Sequence, residues 1–390
     1  MRILKENNYK KKVLVVGSIS DFGGREVEVK NIVDALSEGF DVRLFSTVPM
    51  TKKSMAIKDN RIQWTSIHNE LYNSNIFLKG FSLLNKKWNN SDQPTYLLVS
   101  NKISSFFFNF NKRNIRILKR QIDSVQAVLF CGVLTNGFLK DSIDYCLTSK
   151  KPFILRTTGT IKDIPLNLKN LLPEIESILV HSNSNASIFS TSNFKNIKII
   201  DQTTLQETEL LKIPIEIKQE LVFGYLGRFS NEKGIIELLE IFKKNNLKII
   251  VAGSGNLELD VLDLINDKND FIGEVSPDDL EFFFNKIDVL IIPSHEEAGP
   301  LVGIEAMAAG KIIFSTEVGA MKERLSGTEN NFWFDINKEQ SFLQLLQRLK
   351  NIEPEEIKVI RETNRKIYLE NYSIEKISNK YLNMFDELIC

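Results

Sequence analysis

Short apolar runs alternate along the chain with segments in which apolar residues recur every three or four positions. Unbroken apolar runs are typical of strands buried on both faces of a parallel sheet, and the recurring pattern is typical of helices that cover such a sheet. The first series therefore predicts strands at 12–18, 41–47, 127–132, 152–159 and 177–183, with a helix at 26–40.

A polar stretch at 201–220 interrupts the alternation, and a second series follows it. Its predicted strands lie at 221–227, 247–255, 271–275, 289–294, 311–316 and 332–335, and its helices at 233–244, 278–286 and 302–310.

Two such series predict an α/β fold with two doubly wound, Rossmann-like domains, whose strand carboxyl ends face a shared cleft. We predict an N-terminal domain at 1–210, a C-terminal domain at 211–370 and a C-terminal helical segment at 371–390 that crosses back to the N-terminal domain or caps the other half.

Charge and cysteine content narrow the function classes. The 390 residues carry 50 basic and 50 acidic side chains, so the net charge gives no reason to expect a nucleic-acid partner. Cys131, Cys146 and Cys390 have no metal-ligand spacing, and an odd number of cysteines fits a reducing compartment. The first residues lack the pattern of a signal peptide, and no run approaches the roughly 20 apolar residues of a membrane span. We therefore expect a cytoplasmic protein.

The stretch SHEEAGPLVGIEAMAAG, residues 294–310, carries the first candidate chemistry. Pro300 suits the first position of a helix, and Gly299 before it allows a tight turn and a close backbone approach. The amides of Leu301, Val302 and Gly303 would then point out of the helix N-terminus, which is an arrangement that binds phosphate groups.

Two carboxylates in the same stretch, Glu297 and Glu305, are separated by seven residues. Glu305 could accept hydrogen bonds from ribose hydroxyls while Glu297 faces the other end of a ligand that contains a diphosphate. The alternative is that Glu297 is a solvated loop acid and that Glu305 only interacts with the helix dipole.

Arg228 and Lys233, in GYLGRFSNEKG, follow the first strand of the second series. Two cations at a strand's carboxyl end could hold a diphosphate, because arginine offers a fork of donors and lysine a point charge. Alternatively, they form surface ion pairs with Glu232 or Glu237.

Together these segments resemble the GT-B glycosyltransferases, and in particular the large retaining group called glycosyltransferase family 4, whose signature is two glutamates separated by seven residues. The resemblance is strongest over 221–320, extends in part to the glycine loop and helix at 12–47, and is weak over 50–200. The usual histidine after the strand at 152–159 and the usual Asn-Gly pair near the linker are absent; the linker instead contains IIDQTTLQE at 199–207.

The resemblance implies roles for the matching residues. Arg228 and Lys233 would bind the donor diphosphate and, with Glu297 near the reacting sugar, form the catalytic group. Glu305 would bind the ribose, and Gly299 with the amides of Leu301 and Val302 would hold phosphate oxygens. Gly23 and Gly24 would let the first loop approach the donor. The resemblance implies no metal and no cofactor, and the sequence contains no Asp-x-Asp triplet.

The implied activity is transfer of a sugar, with retention of configuration, from a UDP- or GDP-linked donor to a glycan or lipid-linked acceptor, in bacterial surface polysaccharide or glycolipid synthesis. Two alternatives remain open. One is a nucleotide-sugar-binding protein with reduced turnover, and the other is a GT-B-like nucleotide-sugar epimerase. The scarcity of histidines argues against the epimerase, which needs acid and base groups.

Residues 79–121 contain nine basic side chains and a single acid, Asp92, with Phe106, Phe107, Phe108 and Phe110 among them. A basic segment with aromatic residues can lie on an anionic membrane, which would place the protein at the inner face of the membrane. The alternative is a helix whose aromatic residues are core and whose charges are solvated. The basic residues are Lys79, Lys86, Lys87, Lys102, Lys112, Arg113, Arg116, Lys119 and Arg120.

Overall fold

The computed structural model describes residues 10–58, 62–100, 104, 108–189, 194, 196–216, 218–265 and 270–389. The chain divides into two compact units. Unit 1 comprises the chain up to Val180, Ile188–Lys198 and the chain from Ser378 onward, and unit 2 comprises His181–Ser187 and Ile199–Ile377. The predicted domain boundaries at 210/211 and 370/371 remain predictions, and so does the cleft between the two domains.

A seven-stranded parallel sheet in the order β3-β2-β1-β4-β5-β6-β7 forms the centre of unit 1. Strands β4, β5 and β6 are buried along their whole length, which explains why they read as continuous apolar runs. The strands are β1 Lys12–Gly17, β2 Asp41–Ser46, β3 Gln63–Ser66, β4 Ala127–Gly132, β5 Phe153–Thr157, β6 Ser177–Val180 and β7 Ile197–Ile199. The helices are α1 Gly24–Gly39, α2 Ile67–Ser74, α3 Ile76–Trp88, α4 Phe110–Asp123 and α5 Leu139–Thr148.

Unit 2 contains a six-stranded parallel sheet in the order β10-β9-β8-β11-β12-β13. Its strands are β8 Phe223–Leu226, β9 Ile249–Ala252, β10 Phe271–Gly273, β11 Val289–Ile292, β12 Ile312–Ser315 and β13 Phe332–Trp333. Its helices are α6 Asn183–Ala186, α7 Glu207–Lys212, α8 Ile235–Lys244, α9 Glu258–Leu264, α10 Leu280–Lys286, α11 Leu301–Ala308, α12 Met321–Arg324, α13 Glu339–Lys350 and α14 Pro354–Asn371.

Both faces of the unit 2 sheet are covered by a hydrophobic core. Along β11, Val289 and Ile291 belong to one core while Leu290 and Ile292 belong to the other, as the alternation of side chains in a strand requires. The sheet order reverses between β8 and β11, so the topological switch point of unit 2 lies between these neighbouring strands.

The last helix, α15 Ile374–Ile389, has its first residues in unit 2 and the remainder in unit 1. There Phe385 is fully buried and its ring lies 6.0 Å from that of Phe40, at the end of α1. Among the described residues, no helix is long and apolar enough to cross a bilayer.

Two parallel sheets covered by helices confirm the α/β, doubly wound fold class. The sequence patterns did not predict the edge strands β3 and β7 or the helices α2, α5, α6, α7, α9, α12, α13 and α14. The segment 79–121, interpreted as a helix, contains most of α3 and of α4.

Candidate active site

The residues singled out in the second series lie at the carboxyl ends of β8 and β11, the two strands that flank the switch point of unit 2. Arg228 and Lys233 follow β8, and Glu297 follows β11. Crevices at this position of a doubly wound sheet are where such folds bind ligands.

Lys233 and Glu297 form an ion pair through Lys233 Nζ and Glu297 Oε1. Their side chains are 24% and 14% exposed, so the pair is only partly shielded from water. Ser294 Oγ also donates to Glu297 Oε1, at 3.2 Å. The carboxylate is therefore fixed from two sides.

Gly234 allows this pairing because its backbone lies against the loop that carries the carboxylate. Its φ of +63° is in the left-handed region, and a Cβ at this position would lie 2.2 Å from the carbonyl oxygen of Pro293. Any side chain would thus separate the loop after β8 from the loop after β11.

Arg228 is exposed and forms no ion pair within the described part of the chain. The hydroxyl of the buried Tyr225 donates a hydrogen bond to the Arg228 carbonyl oxygen at 2.9 Å, which fixes the backbone. The guanidinium of Arg228 therefore stays available for a ligand. The alternative ion pairs with Glu232 and Glu237 are not formed. Ser230 Oγ donates to Glu232 at 2.6 Å and lowers the pKa of that carboxyl, while Glu237 contacts His295 Nε2 at 2.9 Å.

The helix predicted after Gly299 is α11, and it begins at Leu301, one residue after the proline that the sequence placed at the first helical position. Pro300 has extended backbone angles, φ −62° and ψ 116°, and is the residue that precedes the helix. The amides of Leu301 and Val302 have no acceptor within the described chain, as predicted, whereas the amide of Gly303 donates to the Pro300 carbonyl oxygen at 3.1 Å. Two free donors, not three, therefore mark the start of α11.

A buried arginine that the sequence did not indicate holds the segment before α11. Arg324 donates to the Pro300 carbonyl oxygen from Nη1 at 2.6 Å, and to both carboxylate oxygens of Asp201 from Nε and Nη2 at 2.8 and 2.6 Å. A Cβ on Gly299 would lie 2.7 Å from Arg324 Nη2 and 3.3 Å from the ring of His181. A glycine at position 299 therefore allows the side chains of Arg324 and His181 to lie close to the backbone.

Asp201 and Arg324 are 123 positions apart, so no local pattern could pair them. The signal that existed was the replacement of the Asn-Gly pair by IIDQTTLQE, which puts an acid where the chain enters unit 2.

Glu305 lies on the second turn of α11 and is 7% exposed. Burial raises the pKa of its carboxyl to about 8. The carboxyl has no hydrogen-bond partner within the described chain. Burial and a hydrogen bond to Glu207 at 2.6 Å raise the pKa of the Tyr368 hydroxyl, and the charge of Glu305 adds to this effect. Glu305 is therefore largely protonated at neutral pH.

Gly23 and Gly24 lie in unit 1, at the start of α1, and not in the unit that carries the other candidate residues. Gly23 has a φ of +138°, and a Cβ there would lie 2.8 Å from Glu26 Oε2. Glu26 is itself buried and accepts from the Ser20 amide at 2.7 Å, while a Cβ on Gly24 would meet open space. The glycine loop is thus held by its own helix.

Within the described ranges, no three His, Cys, Asp or Glu side chains are grouped in a way that could hold a metal ion. The expectation that the protein works without a metal remains a prediction.

Comparison with known proteins finds a family match within unit 2. Residues 207–367 match the model of the family "Glycosyl transferases group 1". The chain is 28% identical over 175 residues to the uncharacterized glycosyltransferase MJ1607 of Methanocaldococcus jannaschii, covering 43% of this chain and 45% of that protein. It is 30% identical over 189 residues to the lipopolysaccharide 1,2-N-acetylglucosaminetransferase of Salmonella typhimurium, covering 43% of this chain and 49% of that one. The chain thus spans about half the length of these relatives.

A solved structure matches nearly the whole chain. Anabaena Alr3699/HepE, in complex with UDP, superposes with a TM-score of 0.68 at 14% identity, covering 96% of this chain and 100% of that one. At this identity the likeness shows the fold. The chain therefore has the GT-B fold, and its residues 207–367 are similar to the glycosyl transferases group 1 family.

Proposed function

We propose that this protein is a retaining, metal-independent glycosyltransferase of family 4, which moves a sugar from a UDP- or GDP-linked donor to a hydroxyl of a glycan or lipid-linked acceptor. The Lys233–Glu297 ion pair carries the proposal, because it places a cation and a carboxylate at a topological switch point, with the carboxylate four residues before the first of two free helix amides. The Salmonella relative supports a role in surface polysaccharide or glycolipid synthesis.

The donor diphosphate would lie between the loop after β8 and the start of α11. The free amides of Leu301 and Val302 offer oriented donors at the positive end of the helix dipole. Arg228 has its whole guanidinium fork available, and Lys233 has further Nζ protons besides the one that faces Glu297. Together they stabilise the charge that develops on the leaving diphosphate.

Glu297 would face the donor sugar. Lys233 and Ser294 hold its carboxylate before any ligand binds, so little reorganisation is needed when the sugar arrives. Glu305, four residues after the first residue of α11, would accept hydrogen bonds from the ribose hydroxyls.

In this proposal the anomeric configuration is retained because the acceptor attacks the same face of the sugar from which the leaving group departs. The acceptor oxygen forms a bond to the anomeric carbon, the bond from that carbon to the diphosphate oxygen breaks, and the acceptor's proton passes to the leaving phosphate. No separate protein base is required, and the cations with the helix amides provide the stabilisation that a metal ion provides elsewhere.

A donor panel tests this proposal. Incubation with UDP- and GDP-sugars and a polysaccharide or lipid-linked acceptor should release nucleoside diphosphate only when acceptor is present. Lys233→Met and Glu297→Gln should each lower kcat by about 100-fold or more, the usual effect of losing one electrostatic contact to a transition state. Exposed Lys248 and Glu240 provide the matched controls Lys248→Met and Glu240→Gln, which should keep full turnover.

Other outcomes contradict the proposal. Tight donor binding without release, across the panel and with a competent acceptor, would mean a binding protein. Recovery of an epimerised nucleotide sugar without acceptor would mean an epimerase. The anomeric configuration of the product, read by NMR, must equal that of the donor, and turnover must survive EDTA.

The cellular setting forms part of the same proposal. We place the protein in the cytoplasm at the inner face of the membrane, where a lipid-linked acceptor would be reached, with peripheral contact through residues 79–121.

A further inference from the structure

The helix α3 exposes an unusually apolar surface. Five large apolar side chains of this one helix are more than half exposed, and Trp88 and Ile76 are the most exposed at 88% and 78%. The five are Ile76, Phe77, Leu83, Leu84 and Trp88. Exposed apolar residues scattered singly need no explanation, but a contiguous patch of this kind marks an interaction surface.

The exposed side chains share one face. At about 100° per residue, the exposed positions 76, 77, 80, 83, 84, 87 and 88 fall within an arc of about 140°. The opposite face contributes Leu78 and Ser82 to the interior, with Ser82 Oγ donating to the Leu78 carbonyl oxygen at 2.7 Å. The helix therefore directs its more apolar face outward, the reverse of an ordinary surface helix.

Lysines accompany this face. Lys87 lies within the arc, and Lys79 and Lys86 lie beside one edge of it. Phe81 of α3 contacts Phe108, just before α4, with ring centroids 6.0 Å apart. Helix α4 adds the exposed basic side chains Lys112, Arg116, Lys119 and Arg120, the last of which is paired with Glu70.

Of the aromatic residues singled out in the sequence, the two that the structure describes are not exposed. Phe110 is buried, Phe108 is half-buried, and Phe106, Phe107 and Lys102 lie outside the described residues. In α3, the exposed aromatic side chains are Phe77 and Trp88, at the two ends of the helix.

We propose that α3 lies in the interface of an anionic lipid bilayer, with its apolar face at the level of the acyl chains and its lysines at the phosphates. The charge of this region favours an anionic bilayer over other partners, because the only acid between 79 and 121 is Asp92. The aliphatic stems of the lysines can extend along an apolar surface while their ammonium groups reach the anionic lipid phosphates. The inference rests on the membrane contact in the proposed function and deepens it, because it names the apolar face of α3 as the surface that binds lipid, whether or not the enzyme turns over.

Vesicle binding tests the inference directly. The full-length protein should co-sediment with vesicles of phosphatidylglycerol and phosphatidylcholine in equal parts, with a blue shift of its tryptophan fluorescence, and should bind vesicles of phosphatidylcholine alone much more weakly. The triple variant Phe77→Ser, Leu84→Ser, Trp88→Ser should bind at least about tenfold more weakly, since it removes three apolar side chains from the interface.

The matched control is Leu259→Ser with Phe282→Ser, which removes two exposed apolar side chains from unit 2 and should leave vesicle binding unchanged. Lys87→Glu should weaken binding by about tenfold or more, whereas Lys248→Glu should have little effect.

Several outcomes would overturn the inference. These are equal binding to neutral vesicles, equal loss in the control pair, or a concentration-dependent dimer that the triple variant abolishes, which would make a second copy the occupant. The donor affinity of the triple variant provides a folding check. Intact donor turnover with no vesicle binding would reject this inference and the membrane contact at 79–121, and would leave the proposed sugar transfer standing.

Discussion

Lys311, the residue before β12, is a buried lysine whose charge destabilises the fold. It is 2% exposed, and burial lowers the pKa of its ammonium from 10.5 to about 7, with Arg361 and Lys218 acting in the same direction and Asp288 in the opposite one. No acid within the described chain pairs with it. We predict that Lys311→Met, which keeps the length of the side chain and removes the charge, stabilises unit 2.

The size of the effect follows from the pKa difference. Below pH 7 the ammonium is protonated in both the folded and the unfolded chain, and the full cost of burying it is present. Between pH 7 and 10.5 the unfolded chain binds more protons, so the wild type gains stability as pH rises. At about 1.4 kcal/mol per pKa unit, the variant should be more stable by about 5 kcal/mol at pH 6 and by about 2 kcal/mol at pH 9.

Tryptophan fluorescence in urea measures this difference in the unit concerned. Of the three tryptophans, only Trp333 lies in unit 2, so a background with Trp64→Phe and Trp88→Phe reports the unfolding of that unit. The exposed Lys248→Met is the control and should show no dependence on pH. An equal gain at pH 6 and pH 9 would refute the reasoning, because it would come from packing and not from ionisation.

Two further predictions concern the start of α11. Ribose hydroxyls donate to the ionised form of Glu305, and the pKa of this carboxyl is raised to about 8. The affinity for a nucleotide sugar should therefore rise with pH below 8, by up to about tenfold per pH unit. Isothermal titration should show this rise in the wild type and not in Glu305→Gln. Arg324→Lys keeps the charge but loses the fork, so the Pro300 carbonyl is released and the donor Kd should rise about tenfold in a protein that circular dichroism shows to be folded, while the exposed Arg348→Lys should leave it unchanged. If Arg324→Lys only lowers the stability of the protein, and its folded fraction binds the donor as tightly as the wild type, Arg324 has a structural role alone.

The sequence was most informative where strands are buried on both faces. The run VLII at β11 is apolar throughout because its alternate residues enter two different cores. The strands β3 and β7 lie at the two edges of their sheet, and neither gave such a run: β3 is Gln63–Ser66 and β7 has only three residues. A short strand that is covered on one side only has no reason to be continuously apolar.

The candidate site was predictable where its parts are local. Lys233, Glu297 and the amides after Pro300 each follow a strand, and parallel strands bring their carboxyl ends to one edge. The buried Arg324 could not be found in this way, since its partners come from loops far away in the sequence. Similarly, the periodicity of α3 shows that the helix has two faces but not that Leu78 and Ser82 turn inward.

The guanidinium of Arg324 joins two segments that are distant in the sequence, through the side-chain carboxylate of Asp201 and the carbonyl oxygen of Pro300, the residue before α11. A chimaera that exchanges the connecting segment 199–207 with that of a relative would leave this arginine without its counter-charge inside the protein. Removing one partner of a buried ion pair is strongly destabilising, by about 3–5 kcal/mol. Swaps designed to alter specificity should therefore transfer the acid and the arginine together.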